Sequence, residues 1–310
     1  MAGRRSVSSA HIGTARLLPL AEFEWRMRGP TPEAVRAFDV RESDVRRLPG
    51  GEGYAWTDGR LVLKPVGFTP EHTWVCDVYA AWTAHDEVRV PEPVAPRGVD
   101  ETCTAWSTDR WGAHVLLAGR NAEPPREMAA VKAASDAFHR HLRHLPRPAF
   151  MDIRDDPWAF GDRLAWEGAE PEGDAETLEV IARLRRHLAP VSSPEQVIHG
   201  DILPNVLLSD RLPPAVIDWP PYFRPVATAN AVAVTDAVTF RGASLSLLDA
   251  WASAEDWKQL LIRALLYRLG PTGFFAARNR LMGSLVTHAR RVGPVVDAVL
   301  ALGEGRPSGS

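Results

Sequence analysis

Within residues 195–220 the chain sets out His199-Gly200-Asp201, then Asn205 four positions on, then Asp218. Two short apolar runs, Val206-Leu207-Leu208 and Ala215-Val216-Ile217, flank the polar, Pro-containing stretch 209–214, a pattern that predicts a β-hairpin. Asn205 stands just before the first run and Asp218 just after the second. Antiparallel pairing therefore sets the two side by side at the open end of the hairpin, with Asp201 on the loop leading in. Two carboxylates and an amide oxygen converge there. Such hard oxygen donors suit Mg²⁺, which usually takes one or two protein carboxylates and leaves its other positions to phosphate and water.

The elements around this island must hold it. Upstream, Thr31-Pro32-Glu33 has the hydroxyl cap and the early Pro of a helix start. From Arg47 the text reads strand, Gly-rich turn (Gly50, Gly51, Gly53), strand, Asp58-Gly59 turn, then the apolar strand Leu61-Val62-Leu63-Lys64. Residues 71–84 are helical in composition and end before Val90-Pro91-Glu92-Pro93, and two more short strands are expected between 94 and 117. Beyond Leu117 the period turns helical. Met128, Val131, Phe138, Leu142 and Leu145 share one face, and Leu178, Ile181, Leu184 and Leu188 repeat the pattern. Ser253…Asp256 resembles a capping box ahead of the stripe Trp257, Leu260, Leu261, Ala264 and Leu265.

His199-Gly200-Asp201 with Asn205, followed by Ile217-Asp218-Trp219, resembles the paired motif of the aminoglycoside phosphotransferase and choline-kinase-like families. The resemblance runs from about residue 30 to 300 and takes in the Gly-rich hairpin, the lysine strand, the helix and the Val-Pro-x-Pro turn. It implies an α+β, protein-kinase-like two-lobed fold with a small β-rich lobe and a larger, mainly helical one. The expected divisions are an extension at 1–29, the first lobe at 30–117, the second at 118–305 and a tail at 306–310. The implied activity is transfer of the γ-phosphate of ATP or GTP to a hydroxyl of a small molecule: a sugar, nucleoside, antibiotic or metabolite. The roles it implies are Asp201 as base, Asn205 and Asp218 on Mg²⁺, and Lys64 on the nucleotide phosphates under the backbone of Gly50, Gly51 and Gly53. An acid on the helix after Lys64 should hold that lysine; Asp77 fits by position, with Glu71 as the rival. The adenine-contacting hinge is expected between Trp111 and Gly119. The catalytic loop departs from the family by one residue, since only Ile202, Leu203 and Pro204 separate Asp201 from Asn205. A deletion of that size can move Asn205 by roughly 3.5 Å. The short loop and the run Asp218 to Pro225 resemble an actinobacterial-type branch of the family.

Composition narrows the field. The 310 residues are 45% apolar and 24% charged, an ordinary globular balance that suits two lobes. A formal charge of −3 gives no reason to expect nucleic acid, and no apolar run approaches the ~18 residues of a membrane span. Two cysteines, Cys76 and Cys103, and no evident secretory leader point to the cytoplasm. Nothing in the sequence fixes an oligomeric state. Lysine occurs only at positions 64, 132 and 258, so Lys64 stands out. From Trp219 onward ten basic residues face six acidic ones, a balance that argues against a polycationic acceptor and for a neutral or anionic one. Two other functions compete: a protein kinase, opposed by the absence of Asp-Phe-Gly and by Pro220, Pro221 and Pro225 following Asp218, and a regulatory nucleotide-binding module without turnover.

Other residues invite chemistry and read more simply. His199 beside Asp201 suggests a dyad, yet bracing of the loop is the expected role. His139, His141 and His144 read as a solvated basic helix face, because residues two apart diverge on a helix. Trp158, Trp166, Trp219, Trp251 and Trp257 read as core or cleft wall. Asp236, amid Ala231-Val232-Ala233-Val234, either touches substrate or is paired in a helix interface, since a buried charge needs a partner.

Overall fold

The computed structural model describes residues 27–48, 53–98, 103–252, 254–278, 280 and 283–303. The Thr31 hydroxyl accepts from the Ala34 amide at 3.2 Å and Pro32 opens the first turn, starting α1 (Pro32–Ala37) as its sequence predicts. The chain then forms β1 (Arg46–Arg47), β2 (Trp56–Thr57), β3 (Leu61–Pro65), α2 (Thr69–Ala80), β4 (Pro93–Val94), β5 (Ser107–Thr108) and β6 (Trp111–Val115). Asp58 closes the β2–β3 turn by accepting from the amides of Arg60 (2.8 Å) and Leu61 (2.7 Å). The strands make one antiparallel sheet in the order β1-β2-β3-β6-β4, with β5 also on β6. Strand alternation sorts β3. Leu61 and Leu63 are buried with Trp111, Ala113 and the inner side of α1, while Val62 and Lys64 lie on the opposite, half-buried face.

From β6 the chain crosses at 116–119 into the second lobe. Its elements are β7 (Arg120–Asn121), α3 (Met128–Leu142), α4 (Pro157–Trp166), α5 (Ala175–Arg185), β8 (Glu195–His199), β9 (Val206–Leu208), β10 (Ala215–Val216) and β11 (Pro221–Pro225). Then follow α6 (Ala227–Phe240), α7 (Leu247–Ala250), α8 (Trp257–Ala276) and α9 (His288–Ala301). Two small antiparallel sheets, β10-β9-β7 and β11-β8, carry the motif residues between the helices. Side-chain caps start two of the helices: Asp156 accepts from Trp158 and Ala159, and Asp174 from Thr177. The box expected at Ser253…Asp256 takes another form. Ser253 lies outside the described residues, and Asp256 at the N-cap of α8 instead accepts from the amides of Ser192 and Ser193, both at 2.9 Å.

Helix α8 is the axis of this lobe and packs against α4, α5, α6 and α9. It meets α4 backbone to backbone, since a Cβ on Gly270 would run into Gly161. Helix α2 belongs to both lobes. Val75, Tyr79 and Trp82 join the large core, while His72 lies so close over Gly112 of β6 that a Cβ there would enter its ring. Among the described residues no helix is long and apolar enough to cross a membrane.

Candidate active site

The hairpin of 206–216 pairs as its sequence predicts, Val206 opposite Val216 and Leu207 opposite Ala215. The Ile217 amide adds a bond to Asn205 O at 3.0 Å, so Asp218 leaves the strand beside Asn205. Asp218 has φ +53°, a left-handed conformation that Asp tolerates better than most residues and that costs of order 1 kcal/mol or more. The short loop folds as a single 3₁₀ turn over Leu203–Asn205. It leaves the buried Asn205 amide group donating to Asp201 O at 2.7 Å and to Asp201 Oδ2 at 3.3 Å. Both bonds use Nδ2, which leaves Oδ1 of Asn205 as an acceptor.

His199 is fully buried and carries no catalytic contact. Its Nδ1 accepts from the Asp201 amide at 3.0 Å, so its Nε2–H donates to Ile217 O at 3.0 Å. One imidazole thus ties the backbone before Asp218 to that of Asp201. The His199 amide in turn donates to His139 Nε2 at 3.0 Å, and His139 Nδ1 donates to Ser135 O at 2.7 Å. Burial pushes both imidazoles down to about 4, so both are neutral braces. The reading of His139 as part of a solvated basic face is overturned: it is 2% exposed. Its position four after Ser135 and eight after Val131 puts it on the apolar stripe, the signal that could have found it. Gly200 is required by packing, because a Cβ there would enter the Tyr222 ring.

On the sheet side, Lys64 Nζ stands 2.9 Å from Asp218 Oδ1, and the ammonium holds that carboxyl below its ordinary range. Neither expected helix acid meets Lys64. Asp77 falls on the exposed side of α2 and accepts from Trp106 Nε1 at 2.7 Å. Glu71 pairs with Arg154 at 3.2 Å, and burial, with Asp156 adding to it, raises its carboxyl to about 7. The inner side of α2 offers uncharged groups instead. Cys76 Sγ lies 3.6 Å from the Nε2 atoms of both His72 and His114, with the thiol pushed up to about 12 and His114 down to about 3, in each case chiefly by burial. Gly53, at φ +78°, is the one glycine of the proposed phosphate turn that is described; Gly50 and Gly51 lie outside the described residues.

On the opposite side enters a residue that sequence marks only as one of the ten basic residues after Trp219. Arg268 of α8 donates through Nη2 to Asp201 Oδ1 and, at 2.5 Å, to Asp236 Oδ2. Its Nε also reaches both Asp236 oxygens at 3.1 Å. Asp236 is therefore paired across a helix interface, one of the two roles open to it from sequence. No linear motif marks Arg268, which lies 67 residues from Asp201.

The donor set fits a magnesium ion. Among the described residues Asp218 offers a carboxylate whose one partner is a displaceable ammonium, Asn205 offers an unbonded amide oxygen, and both are hard ligands. Among the described residues no group of three or more His, Cys, Asp or Glu side chains is placed to hold a metal. An ion here would complete its shell from phosphate and water.

A small antiparallel sheet joined by one crossing segment to a helical lobe, with an Asp–Asn–Asp hairpin between them, defines a kinase-like fold. The family comparison makes this specific: residues 60–221, more than half of the chain, match the phosphotransferase enzyme family (APH), and the chain belongs to it. Its fold is shared with small-molecule kinases. A microcompartment-associated aminopropanol kinase is 19% identical, covering 87% of this chain and 94% of its own, with a TM-score of 0.57. The choline kinase LicA of Streptococcus pneumoniae is 11% identical over 83% of this chain and 93% of its own, also at 0.57. A thermostable mutant of the aminoglycoside phosphotransferase APH(4)-Ia is 16% identical over 88% and 98%, at 0.52. No curated protein sequence matches the chain.

Proposed function

We propose that the protein transfers the γ-phosphate of ATP or GTP to a hydroxyl of a small molecule, with Asp201 as the base. The observation that carries this reading is the hairpin itself, where Asp201, Asn205 and Asp218 converge and Asp201 Oδ2 and Asn205 Nδ2 lie 3.3 Å apart. The acceptor oxygen bonds to the γ-phosphorus, the bond from that phosphorus to the β–γ bridging oxygen breaks, and the hydroxyl proton passes to Asp201. Asn205 Oδ1 and Asp218 would hold Mg²⁺, which supplies charge neutralisation on the phosphates when bound. Lys64 then exchanges Asp218 for the phosphates, and the Gly53 turn covers them. With no acid of α2 beside it, Lys64 depends on Asp218 and the nucleotide for its place. Asp201 lies with 34% of its side chain exposed, open to an acceptor from the helical side.

The test is a mass-spectrometric screen of the protein with Mg²⁺ and either ATP or GTP against sugars, nucleosides, aminoglycosides, amino alcohols and cell extract. An acceptor that gains a phosphate with the wild-type chain and not with Asp201→Asn supports the reading. Tight nucleotide binding without transfer to any acceptor would instead favour a regulatory nucleotide-binding module.

A further inference from the structure

The acceptor side of Asp201 is lined by charge that is already paired. Asp236 is the carboxylate of that wall, and Arg268 takes both of its oxygens, through Nε and Nη2, in the planar fork for which Arg is suited. The same Nη2 holds Oδ1 of Asp201. The pair is enclosed, with 14% of the Arg268 side chain and 13% of Asp236 exposed. Among the described residues Nη1 of Arg268 has no hydrogen-bond partner, and Arg241, at the end of the same helix as Asp236, adds a second cation whose field reaches it. An ammonium group arriving beside the reacting hydroxyl would therefore find its natural carboxylate occupied by the Arg268 guanidinium.

Resting on the kinase reading above, we infer that Arg268 selects acceptors by charge: it fills Asp236 as a built-in cation, excludes amino alcohols and polyamines, and offers Nη1 to a carboxylate or phosphate on a hydroxylated acceptor. This sets the chain apart in acceptor class from the aminopropanol, choline and aminoglycoside kinases whose fold it shares. Specificity here comes from repulsion as much as from attraction. The excess of basic residues after Trp219 points the same way at long range, and Arg268 gives it a place at the reacting atoms.

The experiment uses the full chain with Mg²⁺ and the ATP analogue AMP-PNP for binding, and Mg-ATP for transfer. The probes are matched in size and opposite in charge: glycolate against ethanolamine, lactate against 1-amino-2-propanol, glucuronate against glucosamine. Wild type is expected to bind the acidic member of a pair at least about tenfold more tightly. Arg268→Gln, which releases Asp236, should bring that ratio to one or invert it. Asp236→Asn, which keeps Arg268 and frees its donors, should raise the ratio and serves as the second variant if Arg268→Gln does not fold. Binding of an amino alcohol as tight as its acidic partner, no response to either member of any pair, or a ratio unmoved in both variants would overturn the inference. Failure of the kinase reading is separate: it is a wild-type chain that neither binds AMP-PNP nor consumes Mg-ATP.

Discussion

Each aspartate of the hairpin meets one cationic side chain, and the two pairs are built differently. Lys64 and Asp218 form a single contact at 2.9 Å, with 32% and 58% of the side chains exposed. Arg268 reaches Asp201 from an enclosed position and is itself fixed by Asp236 through three bonds. The first pair is open to exchange and contributes little stability, as exposed ion pairs do. The second is scaffold, because a buried arginine cannot leave its carboxylate without stranding a charge. On the function proposed above, the nucleotide side of the site is thus set up to be rearranged by its ligand, and the acceptor side to stay as it is.

The largest effect that would sharpen this comparison is on turnover. Asp201→Asn is expected to slow phosphate transfer by about 10³-fold, within the range for a lost general base, with calorimetric nucleotide affinity retained. Equal loss of binding and turnover would make Asp201 a metal or structural residue. Next, Arg268→Gln leaves Asp236 buried without a cation and should cost about 3–5 kcal/mol in urea unfolding. Lys64→Ala should change unfolding by less than about 1 kcal/mol while weakening nucleotide binding. If the two variants lose equal stability, the contrast between an exchangeable and a fixed pair fails.

The smallest effect concerns the braces behind both pairs. His139 and His199 are held at about 4 by burial, against an ordinary value near 6.5, so the unfolded chain binds more protons between those limits. Their contribution to stability is therefore full above about pH 6.5 and is lost as pH falls toward 4. A His139→Gln variant that loses as much melting temperature as wild type between pH 7 and 4.5 would contradict their placement as buried and neutral.

Much of this was legible in the sequence. The hairpin, the triplet of Asp201, Asn205 and Asp218, the lysine strand and the α1 cap all follow from local rules: alternation, turn chemistry and capping. What escaped was long-range. Asp77 was favoured for Lys64 by its distance along the chain, yet helical phase turns it outward and presents Cys76 and Tyr79 inward. Arg268 was one arginine among many on an apolar helix, and only the packing of α8 on α6 brings it to Asp201. His139 was judged by its histidine neighbours instead of by the stripe it shares with Val131 and Ser135.

The imidazole of His199 has a consequence for the order in which the molecule comes together. Its ring spaces the two aspartates, but its own amide is anchored by His139, 60 residues earlier in the chain. The spacing of Asp201 and Asp218 is thus conditional on a distant helix having docked. Such non-local contacts form late and open early, since the chain entropy between their ends must be lost first. Partly folded molecules would hold the whole motif in sequence and lack its geometry, so competence for transfer would report on completion of the helical lobe.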